Sequence, residues 1–202
     1  MARPSKPKLN PEVIAEAALA LVDKHGEFTL PQLATSLSVS ASSLYNHVQG
    51  KDEIVELMRG RAMAVIDLPE SQPESWQQTV RLIATAYWSS YSKHPRLIPL
   101  LTSHTVRDRT TLRVYDALAE AFSQAGFEAT RRLQAITIID SFVLGSALDA
   151  AAPQQVWEPD DSSSPQFTEA LDAGLPSAQR AQSTFLLGLD VILEGLRSVP
   201  RA

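Results

Sequence analysis

Apolar residues recur at a spacing of three to four along almost the whole chain, and no alternating pattern of the kind typical of strands appears. This period is that of helices burying one face, so the pattern predicts an all-α protein. Asn10 is placed to cap a first helix, and Gly26 to end it. The predicted helices cover about 11–25, two short segments between 29 and 48, 51–66, 75–93, 95–103, 106–125, 128–151 and 178–198.

A Pro- and Ser-rich segment from Leu68 to Ser75 interrupts this pattern and predicts a boundary between two parts. We expect one domain over 1–67, which includes an N-terminal arm and a linking helix, and a larger helical domain over 74–202. A second polar stretch, from Glu158 to Pro165, has little to bury and is predicted to be a flexible loop.

The segment from Thr29 to Val48 has the pattern of two short helices that cross closely. Leu33, Leu37 and Leu44 supply apolar contacts, and Ala34 leaves room for the crossing. Ser40 is a candidate N-cap for the second helix. This is the helix-turn-helix pattern, whose second helix fits the major groove of DNA. The expected base-reading residues are Ser42, Ser43, Asn46 and His47.

The run Leu44-Tyr45-Asn46-His47-Val48, followed by a turn and Lys51, resembles the tetracycline-repressor (TetR) family. The resemblance is strong from Pro11 to Met58 and extends further only through architecture and length. It implies that Tyr45, Lys51 and Thr29 hold phosphates, while positions from Gln32 to His47 set register and sequence preference. The resulting DNA-binding set is Thr29, Gln32, Ser40, Ser42, Ser43, Tyr45, Asn46, His47 and Lys51, with Arg3, Lys6 and Lys8 on the arm.

Two positions depart from the family pattern. Pro31 stands in the first turn of the second helix, where several relatives carry a base-contacting basic residue, and Ser38 occupies a turn position that is often Gly. Proline is tolerated there because the first N–H groups of a helix have no intrahelical partner. We expect the preferred DNA sequence to differ accordingly.

The overall charge is acidic, with 18 Lys and Arg against 23 Asp and Glu, for a formal net charge of −5. Phosphate neutralisation usually supplies much of the affinity for DNA, so binding must depend on a local footprint. The basic arm and Lys51 are the candidates, although such an arm can also serve only as a solubilising tail.

No catalytic motif accompanies this pattern, so we expect no enzyme activity and no cofactor. The chain has no cysteine, and no two of its four histidines stand four residues apart. A metal site assembled from His94, His104 and Asp140 stays an alternative, although their spacing does not specify one. No apolar run has the length of a membrane span or the character of a signal peptide, which predicts a cytoplasmic location without membrane partners.

The larger domain contains polar and aromatic residues within otherwise apolar helices, and these are candidates for a small-molecule effector site. Asp140 is the most suggestive, because a buried carboxylate is costly without a partner, for which Arg107, Arg113 or His104 are the candidates. For any one of these residues, a structural ion pair or a solvent-facing edge is the favoured interpretation, and only as a group do they suggest a pocket. The candidate effector set is Trp88, Tyr91, His104, Arg107, Tyr115, Asp140 and Phe142.

The last helix and the helix over 128–151 carry more apolar surface than one core contact requires, which predicts that a second protomer covers the excess. The TetR resemblance implies pairing of these helices as a four-helix bundle. The small residues Gly145, Gly188 and Gly195 would permit close approach, whereas the alternative places both helices centrally in a monomeric core. The predicted interface set is Val143, Ala147, Phe185, Leu189, Ile192 and Leu196.

The resemblance therefore implies an all-α homodimeric regulator, with a helix-turn-helix domain followed by a helical ligand-sensing and dimerisation domain. It would bind a palindromic operator in double-stranded DNA, most often as a repressor, until a small molecule of unspecified identity releases it. The helix from Lys51 to Ile66 would transmit the change. A dimeric DNA-binding protein without an effector is the alternative.

Overall fold

The computed structural model describes residues 9–68 and 75–198, and every regular element in these ranges is helical, which confirms the all-α prediction. Arg3, Lys6, Lys8 and most of the predicted boundary loop lie outside the described residues. The helices are α1 (Pro11–His25), α2 (Leu30–Leu37), α3 (Ala41–Tyr45), α4 (Lys51–Met63), α5 (Trp76–Tyr91), α6 (Ile98–Thr102), α7 (Arg109–Gln124), α8 (Ala129–Asp149), α9 (Pro165–Asp172) and α10 (Ser177–Ser198).

Helix α1 begins and ends at the residues that the sequence predicts. The Asn10 side chain accepts a hydrogen bond from the Val13 N–H at 2.8 Å, and Pro11 occupies the first turn. Gly26 follows the helix with a φ of 81°, and its N–H donates to the Val22 carbonyl at 2.7 Å. A positive φ is accessible to glycine at little cost, so this residue closes the helix.

Helices α1 to α4 form the N-terminal unit, in which α1 packs mainly against α4 and α2. Its core contains Ile14, Phe28, Leu33, Leu44 and Ile54, each almost fully buried. The short helices α2 and α3 are therefore held by apolar contacts with their longer neighbours, since helices of five to eight residues have little stability alone.

The remaining helices surround a second part of the core. Helix α5 packs against α7 and α8, and α10 packs against α8 and α5. Trp76, Phe122 and Phe127 form an aromatic cluster with ring centroids 5.3–5.7 Å apart. Helix α4 also contacts α5, α6 and α7, so the N-terminal unit is packed directly onto the larger part.

Two elements differ from those predicted. The segment predicted as one helix over 95–103 is a 3-10 turn, Pro95–Leu97, followed by the short α6, with Pro99 in the first turn of α6. Helix α9 was not predicted, because its sequence has little to bury and none of its residues is in fact buried. Its start is set locally by Ser164, whose side chain accepts from the Phe167 N–H, and by Pro165 in the first turn.

The polar stretch predicted as a flexible loop forms a hydrogen-bonded turn before α9. The Asp160 side chain accepts from the Ser162 N–H at 2.9 Å, and the Ser163 hydroxyl accepts from the Asp160 N–H at 3.0 Å. Asp and Ser favour such turns because their side chains bond to nearby backbone groups. No helix within the described ranges is long and apolar enough to cross a membrane.

Candidate nucleic-acid interface and interior polar sites

The start of α2 is fixed by a capping box. The Gln32 N–H donates to the Thr29 hydroxyl at 3.3 Å, and the Thr29 N–H donates to the Gln32 side-chain oxygen at 2.9 Å. Pro31 is in the first turn, as expected, and Ser38 follows the helix in the left-handed region with a φ of 57°. Thr29 and Gln32 are exposed, although their side chains also serve this structural role.

Helix α3 is capped by Ser40, as predicted, whose hydroxyl accepts from the Ser43 N–H at 3.2 Å. The hydroxyls of Ser42 and Ser43 each lie 2.8 Å from that of Ser40. Ser42 is exposed and Ser43 is partly buried, so Ser42 is the more accessible of the two predicted readers. The helix is only five residues long, and Asn46 and His47 lie in the turn after it.

The predicted phosphate-binding side chains lie on the surface close to this turn. Tyr45 is 57% exposed, an unusual degree for an aromatic residue, and Asn46 and His47 are exposed beside it. Lys51, at the start of α4, is exposed, and its ammonium lies 5.2 Å from the centroid of the Phe28 ring. The described members of the DNA-binding set thus fall on one short, contiguous unit, α2 to the start of α4.

Asp140 lies in the interior of the larger part, where two tyrosine hydroxyls donate to the same carboxylate oxygen. The distances to Oδ1 are 2.8 Å from Tyr87 and 2.7 Å from Tyr115. The expected pairing with Arg107, Arg113 or His104 is wrong, because α5 and α7 present tyrosines to this side of α8. Tyr87 was missed in the sequence, although it lies one helical turn before Tyr91.

Burial raises the pKa of Tyr87, Tyr91 and Tyr115, and the nearby Asp140 carboxylate raises it further. These hydroxyls therefore keep their protons at neutral pH and act as hydrogen-bond donors. Tyr91 is fully buried, and its ring meets that of Tyr87 at 5.0 Å in an edge-to-face arrangement.

Trp88 and Phe142 of the effector set belong to a separate aromatic stack. Phe185 of α10 stacks on Trp88 with centroids 4.8 Å apart and on Phe142 at 5.6 Å. The buried Trp88 Nε1 has no hydrogen-bond partner among the residues that the structure describes. Phe142 and Phe185 also line a groove of about 310 Å³ between α8 and α10.

His104 and Arg107 lie at a third place, where the larger part meets α4. His104 Nδ1 is 2.6 Å from the Leu100 carbonyl, and its Nε2 is 3.4 Å from Asp52. Together with α4 they line an open cleft of about 910 Å³. The structure thus divides the predicted effector set among three locations.

The alternative metal site is not formed by the residues proposed for it. His94 Nδ1 lies 2.9 Å from Asp23, while His104 and Asp140 have the separate partners given above. In residues 9–68 and 75–198, no group of three His, Asp or Glu could hold a metal ion.

A charged pair on α4, missed in the sequence, joins the two parts of the molecule. The Arg59 Nε donates to Glu56 at 2.8 Å, and its Nη2 donates to the carbonyls of Leu101 and His104 at 3.0 and 3.1 Å. Glu56 in turn accepts from the N–H groups of Arg107 and Asp108 at 2.6 and 2.9 Å. The sequence signal is limited to two opposite charges three residues apart on α4.

The electrostatics of Glu56 reflect these contacts. Burial by itself would raise its pKa, but the hydrogen bonds from the Arg107 N–H, the Arg59 guanidinium and the Asp108 N–H outweigh it and lower the pKa. Glu56 is therefore an ionised link between α4 and the start of α7.

A second contact ties α1 to the 3-10 turn. Arg96 Nη1 donates to the carbonyls of Asp23 and Lys24 at 3.1 and 2.6 Å, at the end of α1. Ser90 of α5 also donates to the Ala62 carbonyl of α4 at 2.6 Å. The N-terminal unit is thus held at both α1 and α4.

Most side chains predicted for a dimer interface are instead inside the protomer. Val143, Ala147, Phe185 and Leu189 have no exposed surface, Leu196 is buried, and Ile192 is partly buried. Neighbouring helices of the same protomer already cover these side chains, and Phe185, for example, stacks on Trp88 of α5 and Phe142 of α8. The apolar side chains that α8 and α10 do expose are Leu133, Ile138, Leu148, Leu186, Leu187 and Val191.

A helix-turn-helix unit packed on a larger helical part is an architecture found in transcription regulators. Residues 68–199 match the family model described as the tetracyclin repressor-like C-terminal domain. The chain therefore belongs to the TetR family of transcriptional regulators.

Curated relatives carry consistent names. An HTH-type transcriptional regulator of Saccharopolyspora erythraea is 26% identical over 159 residues, which are 78% of this chain and 66% of the relative. The repressor DrrR1 of Streptomyces coeruleorubidus is 26% identical over 72% of this chain and 56% of its own. The chain thus spans less than two thirds of these two relatives. The class E tetracycline repressor protein of Escherichia coli is 26% identical over 93% of this chain and 90% of its own.

Solved structures share the fold at low sequence identity. ActR of Streptomyces coelicolor in complex with actinorhodin has a TM-score of 0.76 and 20% identity, covering 94% of this chain and 96% of ActR. BioQ with its natural double-stranded DNA operator has a TM-score of 0.68 and 17% identity, covering 95% of this chain and 99% of BioQ. These likenesses show the fold.

Proposed function

We propose that the protein is a homodimeric, sequence-specific DNA-binding repressor that a small-molecule effector releases from a palindromic operator. The observation that carries this proposal is the exposed unit from α2 to the start of α4, with Ser42, Tyr45, Asn46 and Lys51 on its surface. Two such units related by two-fold symmetry would fit two DNA half-sites that lie about one turn of the double helix apart. The BioQ complex with its operator supports this reading.

The residue roles follow from exposure and chemistry. Lys51, Tyr45 and Thr29 would hold phosphates, which fixes register without reading sequence. Ser42, Asn46 and His47 would face base edges, where Asn can pair with adenine. The basic arm with Arg3, Lys6 and Lys8 would add further contacts to the phosphates.

The effector would act through α4, whose Glu56 and Arg59 contact α6 and the start of α7. Such an effector binds more tightly when the two α3 helices of the dimer are spaced wrongly for DNA, and it therefore lowers the affinity for DNA. DNA lowers the affinity for the effector by the same coupling free energy, which is typically about 1–3 kcal/mol. The complex of ActR with actinorhodin supports a ligand-responsive larger domain over 74–202.

The experiment is selection of bound sequences from a random double-stranded DNA pool, with the stoichiometry of the selected complex measured alongside. We expect one palindrome bound by two protomers. Asn46→Ala should change which bases are preferred, because Asn46 is assigned to base edges. Failure of the folded protein to enrich any sequence at low salt would contradict the proposal.

Lys51→Ala should weaken binding to every sequence. It should also reduce the slope of log affinity against log salt concentration by the amount expected for about two lost phosphate contacts per dimer. Arg113→Ala is the matched control, because it removes the same charge from an exposed position on α7. An equal effect of the two variants would show that Lys51 acts only through net charge.

A dimer that binds its palindrome but that no compound releases would support the alternative without an effector.

A further inference from the structure

The interior of the larger part holds a carboxylate whose described partners are all neutral. Asp140, partly buried on α8, accepts from the hydroxyls of Tyr87 and Tyr115 and from no other group in the described ranges. In residues 9–68 and 75–198, no Lys, Arg or His lies within ion-pair distance of it. A partly buried charge without a counter-charge is costly, and tyrosine hydroxyls supply hydrogen bonds without neutralising it.

Neighbouring interior charges have partners of their own. Arg59 is paired with Glu56, and Arg180 is paired with Asp149 at 3.0 Å. Arg132 shares the face of α8 with Asp140, but it lies eight residues away, or about 12 Å along the helix axis, too far for direct pairing. The negative charge of Asp140 is therefore available to a bound ligand.

The geometry leaves one side of this carboxylate open. An ionised carboxylate offers about four lone-pair sites on its two oxygens, and both tyrosines use Oδ1. Oδ2 has no described partner. Tyr87 and Tyr115 are fixed donors, since burial and the adjacent carboxylate raise their pKa. A group that faces Oδ2 must therefore itself donate a hydrogen bond or carry a positive charge.

The surroundings also suit a positive charge with an apolar body. The tyrosine rings at 87, 91 and 115 converge on this region, and aromatic faces attract cations. Ile136 and Leu144 lie one turn to either side of Asp140 on α8, both partly buried. Restricted access of water strengthens a charge–charge contact relative to one on the surface.

We propose that the effector of this regulator is an organic cation, whose ammonium or equivalent group faces Asp140 and whose apolar part lies against the tyrosines, Ile136 and Leu144. The inference deepens the proposed function, on which its regulatory meaning rests. Its binding step, however, is measurable without DNA.

This site lies close to the contact that holds α4. The charges of Asp140 and Arg59 both act on the hydroxyl of the buried Tyr91, so the two groups lie in the same region of the interior. A cation beside Asp140 adds a positive charge to the region of the Arg59 guanidinium. Effector binding would thus weaken the hold of the larger part on α4.

The test uses two pairs of probes that have similar shape and opposite charge. Tetraphenylphosphonium is compared with tetraphenylborate, and benzyltrimethylammonium with benzylsulfonate, by calorimetric titration of the purified full chain. We expect at least one cation to bind about tenfold or more tightly than its anion. If neither cation binds more tightly than its anion, the proposal is overturned.

Asp140→Asn keeps a side-chain oxygen for the tyrosines and removes the charge. It should abolish the cation preference and leave the thermal midpoint unchanged or raised, because an unbalanced charge has been removed. Asp116→Asn, at an exposed position on α7, is the matched control and should keep the preference. A cation preference that survives in Asp140→Asn overturns the proposal.

The two proposals fail separately. A protein that selects a palindrome but binds cations and anions alike contradicts only the effector class. A protein that prefers cations through Asp140 but enriches no DNA sequence contradicts only the regulatory function. Where both hold, the preferred cation should release DNA from the wild type and not from Asp140→Asn.

Discussion

At the scale of single residues, Glu56 shows how one side chain can join two parts of a helical protein. It accepts from two backbone N–H groups at the start of α7 and from Arg59. A carboxylate at the positive end of a helix dipole is favourable, and Arg59, only 5% exposed, would otherwise be a buried charge without a counter-charge.

Glu56→Gln should lower the free energy of unfolding at pH 7 by about 1–3 kcal/mol. Folding lowers the pKa of Glu56, so its stabilisation is complete above the pKa of about 4.3 in an unfolded chain and is lost as the pH falls through the lower folded pKa. Urea titrations of both proteins between pH 3 and 7 should therefore converge at the acidic end. The control is Glu169→Gln, at an exposed position on α9, whose unfolding free energy should follow that of the wild type at each pH. If the difference between Glu56→Gln and the wild type stays constant from pH 7 to pH 3, the assignment is contradicted.

At the scale of elements, the crossing of α4 and α7 depends on the absence of a side chain at Gly60. A Cβ added there would stand 2.5 Å from Asp108 Oδ2, closer than such atoms approach. Asp108 caps α7 by accepting from the N–H and hydroxyl of Thr111 at 2.8 and 2.9 Å. The close crossing and the helix cap are thus coupled.

Gly60→Ala should destabilise the protein by about 1 kcal/mol, although alanine is the better helix former by a similar amount. In an Asp108→Ala background the same change should become stabilising, because the clashing carboxylate is gone. The four proteins of this cycle can be compared by chemical denaturation. Equal effects of Gly60→Ala in both backgrounds would rule out the coupling.

At the scale of the whole molecule, the apolar side chains exposed on α8 and α10 define the surface that a second protomer would cover. Leu187 and Val191 are 66% and 65% exposed and lie one turn apart on α10. An apolar surface of this kind is typical of a protein–protein contact. Small residues such as Gly145 beside it leave space for a facing helix.

Leu187→Glu with Val191→Glu should convert the proposed dimer into a folded monomer, because buried like charges at a two-fold interface lack partners. Sedimentation equilibrium gives the mass, and circular dichroism shows whether the helices persist. Leu82→Glu with Leu112→Glu makes the same changes at exposed positions on α5 and α7 and should leave the mass unaltered. A wild type that sediments as a monomer would favour the monomeric core.

Much of the fold follows from local sequence signals. Asn10, Gly26 and Ser40 act where the sequence places them, because a helix cap involves residues only a few positions apart. The helix-turn-helix likewise follows from apolar spacing over about twenty residues. Helix α9 was not predicted because periodic spacing of apolar residues indicates burial, and none of the residues of α9 is buried. Local capping sets its start instead.

The interior contacts were decided only by tertiary structure. Periodicity places Asp140 on α8, but its partners Tyr87 and Tyr115 are 53 and 25 residues away. The same limit applies to the contact of Glu56 with the start of α7 and to the side of α10 that faces inward. By itself, the sequence determined most of the helical segments and the short unit that resembles a DNA-reading motif. Packing alone decided which charges meet and which remain unbalanced, because those contacts join helices that are distant along the chain.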